Sequence, residues 1–251
     1  VATFIGSQQT NKPFVYRIHE SPDPEKLATF SNFIKKFGYR IDTTSPKGIS
    51  STINRLMSDV EGKAEEQLIS QLAIRTMSKA EYSTENVGHY GLGFKYYSHF
   101  TSPIRRYPDV MVHRLLQHYL AGGSTVNQEV LEEKCKHSSE REKLATDAER
   151  ASIKFMQVKF MQGKVGEVFG GVVSGVSEFG MFVELEGNKC EGMIRLRSLT
   201  DDFFTFDPDN YAIEGKRTGK TYTIGDSLTI RVKKADLVKK QLDFELVNDF
   251  D

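Results

Sequence analysis

The strongest constraint on the fold lies in the last 90 residues of the chain, where short β-branched segments alternate with glycine and turn residues. Alternation of apolar and polar residues with a period of two predicts strands that are buried on one side. Five such segments follow one another, at 166–175, 180–185, 192–196, 227–233 and 241–246. Five short strands at this spacing are typical of a small closed barrel. The sequence therefore predicts a five-stranded OB-fold β-barrel at 162–251.

The first 161 residues have a different pattern, in which apolar residues recur every three or four positions. This spacing predicts helices, which we place at 25–37, 49–60, 63–78, 101–120 and 127–160. In the last of these helices we expect Leu131, Cys135 and Leu144 to face inward. The segment 85–99 is rich in Gly, Tyr and His and is too interrupted for a helix. The chain is thus predicted to be α+β, with a mostly helical part at 1–161 followed by the barrel.

The composition excludes several classes of protein. The 251 residues include 34 Lys+Arg and 34 Asp+Glu, so the chain is not a uniformly basic polycation, although a local basic groove is compatible with zero net charge. No segment approaches the run of about 18 apolar residues that a membrane helix requires, and we expect no membrane partner. Cys135 and Cys190 lie in unlike contexts, and unpaired cysteines are typical of a reducing compartment. We therefore expect a cytoplasmic protein.

A candidate anion site lies within residues 99–114. Ser102 is suited to cap a helix, and Pro103 is suited to its first position, where a missing N–H costs nothing. Arg105 and Arg106 would then lie in the first turn. Free N–H groups, the positive end of the helix dipole and two guanidiniums favour a phosphate at such a place.

Other interpretations of these residues stay open. Pro108 argues for a kinked or broken helix start. The two arginines could instead be surface residues in ion pairs, for example with Asp109. A serine hydrolase built from Ser102, His99 and Asp109 is disfavoured, because no Gly-x-Ser-x-Gly turn between a strand and a helix supports it.

The same residues carry a resemblance to a known family. The run HFTSPIRRYPDVMVHR at 99–114, with NVGHYGLG at 86–93, YYSHF at 96–100 and YRIHESPD at 16–23, resembles the RNB family of exoribonucleases, which includes ribonuclease II and ribonuclease R. The resemblance implies hydrolytic 3′-to-5′ degradation of single-stranded RNA to nucleoside 5′-monophosphates, with magnesium as cofactor. It implies that Arg105 acts on the scissile phosphate, and that Arg106 and His99 provide RNA contacts and support.

The chain departs from the family pattern at the metal site. The closely spaced aspartates of the family are not found in the first 161 residues. A possible substitute is Asp201, Asp202, Asp207 and Asp209, but these lie in an insertion at 198–223 that we interpret as a barrel loop. No histidine has the spacing of a zinc ligand relative to either cysteine. We therefore expect no metal site here.

These observations lead to an expectation about the whole protein. The chain lacks an initiator Met, and we expect it to be the C-terminal part of an RNB catalytic domain (1–161) with an RNA-binding barrel (162–251). Such a fragment would be inactive alone. The alternative is a non-catalytic RNA-binding protein that retains both folds.

The barrel resembles a known RNA-binding domain, the one first described in ribosomal protein S1, through GKVGEVF at 163–169 and FGMFVE at 179–184. Its position behind the RNB-like part makes the chain more similar to the ribonuclease R branch of the family. The resemblance implies that Phe179 and Phe182 stack on RNA bases beside Arg195. These phenylalanines could instead fill the barrel core. Lesser RNA-binding candidates are Phe169, Arg231 and Lys240.

Overall fold

The computed structural model describes residues 12–63 and 65–247. Within them the chain divides into two compact units. The first comprises residues 12–28, 43–49 and 75–147. The second comprises residues 29–42, 50–63, 65–74 and 148–247.

Most of the chain before residue 162 is helical, as predicted. The helices are α1 (Pro24–Ile34), α2 (Pro46–Val60), α3 (Glu66–Thr76), α4 (Tyr107–Leu120) and α5 (Gln128–Met161). A carboxylate oxygen of Asp23 accepts hydrogen bonds from the N–H groups of Glu25 and Lys26, at 2.9 and 3.2 Å, and so caps α1. After a short 3₁₀ turn, Gly38 takes a positive φ of 84° and ends the helical segment. No helix in the described part of the chain is long and apolar enough to cross a membrane.

The first unit is built around a small two-stranded sheet. Strand β1 (Tyr16–Ile18) pairs antiparallel with β2 (Glu81–Ser83), which places Arg17 opposite Tyr82. The two strands, the two residues before β1, α4 and the beginning of α5 supply its core. The buried residues of this core are Phe14, Val15, Tyr16, Ile18, Tyr82, Met111, Val112, Leu115, Leu131 and Cys135.

The prediction for the inward face of α5 is partly wrong. Leu131 and Cys135 are buried, as expected, but the side chain of Leu144 is 56% exposed. Thirteen residues separate Leu131 from Leu144, and at 3.6 residues per turn this spacing rotates Leu144 by about 140° away from the first position.

The second unit contains the predicted barrel. Its strands are β3 (Val168–Ser177), β4 (Gly180–Leu185), β5 (Glu191–Arg195), β6 (Phe204–Asp207), β7 (Ala212–Gly215), β8 (Thr221–Thr223), β9 (Ser227–Asp236) and β10 (Gln241–Leu246). Five of these close into a barrel in the order β10-β5-β4-β3-β9, with β5 and β10 parallel and the other neighbours antiparallel. Alternate residues point inward and are at most 2% exposed: Val173, Met181, Val183, Leu185, Ile194, Ile230, Leu242 and Phe244.

The insertion between β5 and β9 is not the simple loop that the sequence predicted. Strands β6, β7 and β8 form an antiparallel three-stranded sheet. Its inner residues Phe204, Ile213 and Tyr222 are buried in the same core cluster as the barrel. Strands of three or four residues between Asp and Gly turns are too short to show a clear period of two, so the pattern did not reveal them.

Candidate nucleic-acid interface

The arginines of the sequence motif lie on a turn before α4, not in its first turn. The predicted helix start at Thr101 is wrong, because α4 begins at Tyr107. The backbone N–H groups of Arg105 and Arg106 donate to the carbonyl oxygen of Ser102, at 3.3 and 3.1 Å. These two N–H groups are already occupied, so they are not available to a phosphate at this turn.

A buried carboxylate holds the turn in place. Asp109, in the first turn of α4, has no exposed surface. Its Oδ2 accepts hydrogen bonds from the N–H of Ser102 at 2.7 Å and from Nη2 of Arg106 at 3.0 Å. Nε of Arg106 lies 3.0 Å from Oδ1 of Asp109, in ion-pair contact but not aligned for a second hydrogen bond. The alternative of an ion pair with Asp109 is thus confirmed for Arg106.

Arg105 is in the opposite state. Its side chain is exposed, and it forms neither a hydrogen bond nor an ion pair with any other residue that the structure describes. The neighbouring Ile104 is fully exposed at 102%. The turn therefore presents one free guanidinium at its tip.

A cluster of polar aromatic residues lies in the same unit. The hydroxyl of Tyr82 is 2.9 Å from Nδ1 of His99. The guanidinium of Arg17 lies over the Tyr82 ring at 4.6 Å and pairs with Glu142 at 2.6 Å. Burial, assisted by the charges of Arg106 and Arg17, lowers the pKa of His99 to about 4. Burial raises the pKa of Tyr82 to about 12, so the hydroxyl and the imidazole of this hydrogen bond are both uncharged.

On the barrel, an outward-facing row of side chains crosses three strands. Phe182 pairs with Met193, and Met193 pairs with Asp243. Arg195 lies two residues from Met193, on the same face, and its Nη2 is 3.0 Å from Oδ1 of Asp243. Phe182 is half-buried and Phe179, in the β3–β4 turn, is 67% exposed. Both rings lie outside the buried core cluster, so the alternative that they fill the barrel is wrong.

These side chains line an open groove of about 480 Å³, which we call the barrel groove. Lys154, Lys239 and Gln241 complete its wall. Rings that are accessible at the surface beside cationic side chains are the arrangement on which single-stranded nucleic acids stack. The sequence reasoning missed these three residues and Met193. Met193 lies two residues before Arg195, and side chains two residues apart lie on the same face of a strand, so the alternation could have indicated Met193.

A close backbone approach positions Phe179. Gly180 has φ +145°, and a Cβ at this position would overlap the carbonyl oxygen of Ile194 and lie 3.0 Å from Cα of Arg195. Side chains other than glycine rarely adopt this conformation. The N–H of Leu196 donates to the carbonyl oxygen of Phe179 at 3.0 Å. The glycine thus permits the contact that holds Phe179 beside Arg195.

The three lesser candidates have different surroundings. Phe169 is half-buried and packs against the barrel core, with Nζ of Lys164 at 5.8 Å from its ring. Arg231 is paired with Glu245 at 3.5 Å. Lys240 is exposed in the turn before β10, with φ 52°. Their contribution to RNA binding stays a prediction.

The aspartates of the insertion do not fit a magnesium site. Oxygens of Asp202 accept hydrogen bonds from the N–H groups of Phe203 and Thr218 and from the Thr218 hydroxyl, each at 2.6 Å. The Thr218 hydroxyl, with these N–H groups, lowers the pKa of Asp202 to about 2. Asp207 is likewise bound to Asn210. Within the part of the chain that the structure describes, no group of three or more His, Cys, Asp or Glu residues could hold a metal ion.

Two protein-family models match the chain. Residues 1–122 match the RNB domain, and residues 163–246 match the S1 RNA binding domain. The first match includes the turn with Arg105, and the second includes the barrel groove.

Curated proteins match over most of the chain. Ribonuclease R of Aquifex aeolicus is 40% identical over 241 residues, covering 94% of this chain and 34% of the relative. Ribonuclease R 1 of Lactococcus lactis is 40% identical over 238 residues, covering 93% and 29%. The chain therefore spans about a third of the length of the curated relatives it matches.

A solved structure shows the same fold. The apo form of Mycoplasma genitalium RNase R matches with a TM-score of 0.84 and 27% identity, covering 98% of this chain and 39% of that chain. Its complex with ribose methylated single-stranded RNA matches with the same values. On these matches, the chain carries RNB domain sequence at residues 1–122, followed by an S1 RNA binding domain at residues 163–246.

Proposed function

We propose that this chain forms part of a hydrolytic 3′-to-5′ exoribonuclease that releases nucleoside 5′-monophosphates from single-stranded RNA. One observation carries the proposal: the turn anchored by Asp109 presents the guanidinium of Arg105 free of any partner in the described chain. Support comes from the ribonuclease R relatives and from the Mycoplasma genitalium enzyme in complex with single-stranded RNA.

We assign different roles to the two arginines. A free guanidinium can bind a phosphate through two parallel N–H donors and can meet the charge that builds on it during cleavage. This role falls to Arg105. Arg106 is committed to Asp109, so it supports the turn, while the neutral ring of His99 offers a hydrogen bond to RNA without a charge.

We place the boundary of the catalytic part at residue 161 and assign RNA affinity to the barrel at 162–251. In this proposal Phe179 and Phe182 each stack on a base, an interaction of about 1–3 kcal/mol per ring. Arg195 contacts a phosphate next to them. Phe169, Arg231 and Lys240 would extend the contact with the strand.

Magnesium belongs to the proposed activity of the intact enzyme, where divalent ions activate water and stabilise the leaving oxygen. The acidic residues described here do not fit that site, so its ligands would come from elsewhere. The chain by itself is then inactive and binds RNA only.

We also propose a cytoplasmic location. Cys135 and Cys190 are both buried and unpaired in the structure. Burial raises the pKa of the Cys135 thiol to about 12, which keeps it protonated and unreactive. Such cysteines suit a reducing compartment.

The test compares the 251-residue chain with the longer protein that contains it, using 5′-labelled single-stranded RNA and Mg²⁺. We expect the longer protein to shorten the RNA from its 3′ end and to release nucleoside 5′-monophosphates, and the chain alone to bind without shortening. Release by the highly purified chain would contradict this assignment and return attention to Asp201, Asp202, Asp207 and Asp209. Binding without shortening by the longer protein would favour the non-catalytic alternative.

A further inference from the structure

A second groove lies beside the barrel groove and shares Phe179 and Arg195 with it. This groove, of about 550 Å³, is formed by the end of β5 and the start of the insertion. We call it the insertion groove. Leu199 and Phe203, from the start of the insertion, line this groove together with Phe179 of the β3–β4 turn, so the groove continues the barrel face onto the insertion.

The insertion exposes a phenylalanine that its own core does not use. Phe203 is 68% exposed, whereas the adjacent Phe204 is 6% exposed and packs against Tyr222. Nζ of Lys216 lies 5.2 Å from the centre of the Phe203 ring. A large exposed ring with a cation beside it resembles a binding platform more than a residual surface apolar group.

The backbone around Phe203 is firmly fixed. Its N–H donates to Asp202 at 2.6 Å, and its carbonyl oxygen accepts from the N–H of Lys216 at 3.0 Å. Asp202 in turn binds Thr218 through two hydrogen bonds of 2.6 Å. The backbone that carries the ring is therefore fixed before any ligand arrives, which lowers the entropy lost on binding.

The charges around the groove favour an anionic ligand. Arg197 lines the groove, and its exposed side chain forms no hydrogen bond or ion pair with the rest of the described chain. Lys216 is exposed and likewise without an ion pair among the described residues. Glu178 and Asp202 also line the groove, but the carboxylate of Asp202 is already bound by N–H and hydroxyl donors.

We infer that the insertion groove is a second subsite for single-stranded RNA, in which Phe203 stacks on a base and Arg197 and Lys216 bind the phosphates that flank it. It takes nucleotides beyond those held by Phe179 and Phe182. This inference rests on the proposed RNA-binding function of the barrel groove and adds to it the length of RNA that the barrel engages.

The experiment measures binding of the 251-residue chain to oligouridylates of about 4 and about 12 nucleotides, lengths within the range of site sizes for OB folds. Phe203→Ala should weaken binding of the longer RNA by roughly fivefold to a hundredfold, the loss of one stacked base. Binding of the shorter RNA should be unchanged. Phe203→Leu, which keeps bulk without a π-face, should behave like Phe203→Ala.

The chain offers a matched control. Phe160 on α5 is 55% exposed and has Nζ of Lys164 at 5.3 Å from its ring, so it has a similar environment outside both grooves. Phe160→Ala should leave both affinities unchanged. Thermal unfolding of each variant shows whether a loss of binding reflects a loss of structure.

The outcomes separate the two proposals. If Phe203→Ala binds both RNAs normally while Phe179→Ala binds both weakly, the second subsite is disproved and the barrel groove stands. Equal losses for both lengths in Phe203→Ala would also overturn the extension, because Phe203 would then belong to the first subsite. If none of the Phe179, Phe182 and Phe203 variants weakens binding, the proposed RNA face itself is wrong.

Discussion

Asp109 and Arg106 meet at two contacts of 3.0 Å, one to each carboxylate oxygen, and the carboxylate has no exposed surface. The pair gives two adjacent arginines of identical chemistry opposite states. Arg106 is held in a buried ion pair, whereas the guanidinium of Arg105 has no partner among the described residues.

Asp109→Asn should therefore destabilise the chain. It leaves the Arg106 guanidinium without its charge partner, and breaking a buried pair costs about 3–5 kcal/mol. Asp109→Ala should cost more, because the N–H of Ser102 also loses its acceptor. Chemical unfolding of the purified variants measures the loss. Asp147→Asn, at an exposed position on α5, is the control, and equal stability of both Asn variants would show that the pair does not anchor the turn.

Arg105→Ala should impair catalysis far more than binding. In the longer protein we expect kcat to fall roughly a hundredfold or more, the scale for the loss of one electrostatic donor at a reacting centre. Arg105→Lys should recover only part of the rate, since an ammonium cannot supply a two-pronged contact. Single-turnover cleavage and RNA affinity, measured together, separate the two effects. Near-normal turnover of the Ala variant would reduce the arginine pair to a structural feature.

The stability of the first unit should depend on pH through His99. Its pKa is about 4 in the folded chain, against an ordinary value of 6.5, because of burial and the nearby arginines. Between these two values the unfolded chain binds the proton more readily, so stability falls as pH drops from 6.5 towards 4. Because the ring is partly exposed, we expect His99 to account for on the order of 1 kcal/mol of this loss.

The measurement is the free energy of unfolding at pH 7 and pH 5. His99→Gln should lose less stability than the unaltered chain over this interval. His137→Gln, at an exposed position on α5, should behave like the unaltered chain. A His99 variant with the full pH dependence would show that other groups cause it.

Phe179→Ala and Phe182→Ala should weaken RNA binding with little loss of stability. Each ring should account for about 1–3 kcal/mol of binding, and the effect should persist at raised salt because stacking is not ionic. Phe244→Ala is the matched contrast: this ring is 1% exposed, and its removal should cost about 3–5 kcal/mol of stability. The RNA affinity and the melting temperature of the three variants distinguish base stacking from a structural role of the rings. Early melting of the first two would mean that they support the barrel.

The sequence predicted strands correctly where a clear alternation of apolar and polar residues begins and ends at turn residues. The strands at 180–185 and 241–246 were predicted at the limits the structure shows, because a period of two is bounded there by turn residues. The start of α4 was misplaced, because a contact between Ser102 and Asp109, seven residues apart, replaces the expected cap. Helix propensity does not include contacts between residues this far apart, although Pro108 indicated an irregular helix start.

The candidate sites show the same limit. The family resemblance indicated Arg105, Phe179, Phe182 and Arg195, but the physical pattern of the sequence by itself did not distinguish the free Arg105 from the bound Arg106. That distinction depends on which guanidinium reaches a buried carboxylate. The insertion groove was missed because Leu199, Asp202 and Phe203, which line it, lie between β5 and β6 and outside any strand, where no periodic pattern indicates which side chains share a face.

The close approach at Gly180 has a consequence for how this chain can tolerate mutation. A side chain there would collide with β5 at Ile194, in a backbone conformation that few residues accept. The position that closes the hairpin is thus also the position that holds Phe179 in place. Any library of variants selected only for a folded barrel should retain this glycine, and with it should retain the placement of the ring, even when RNA binding is not selected.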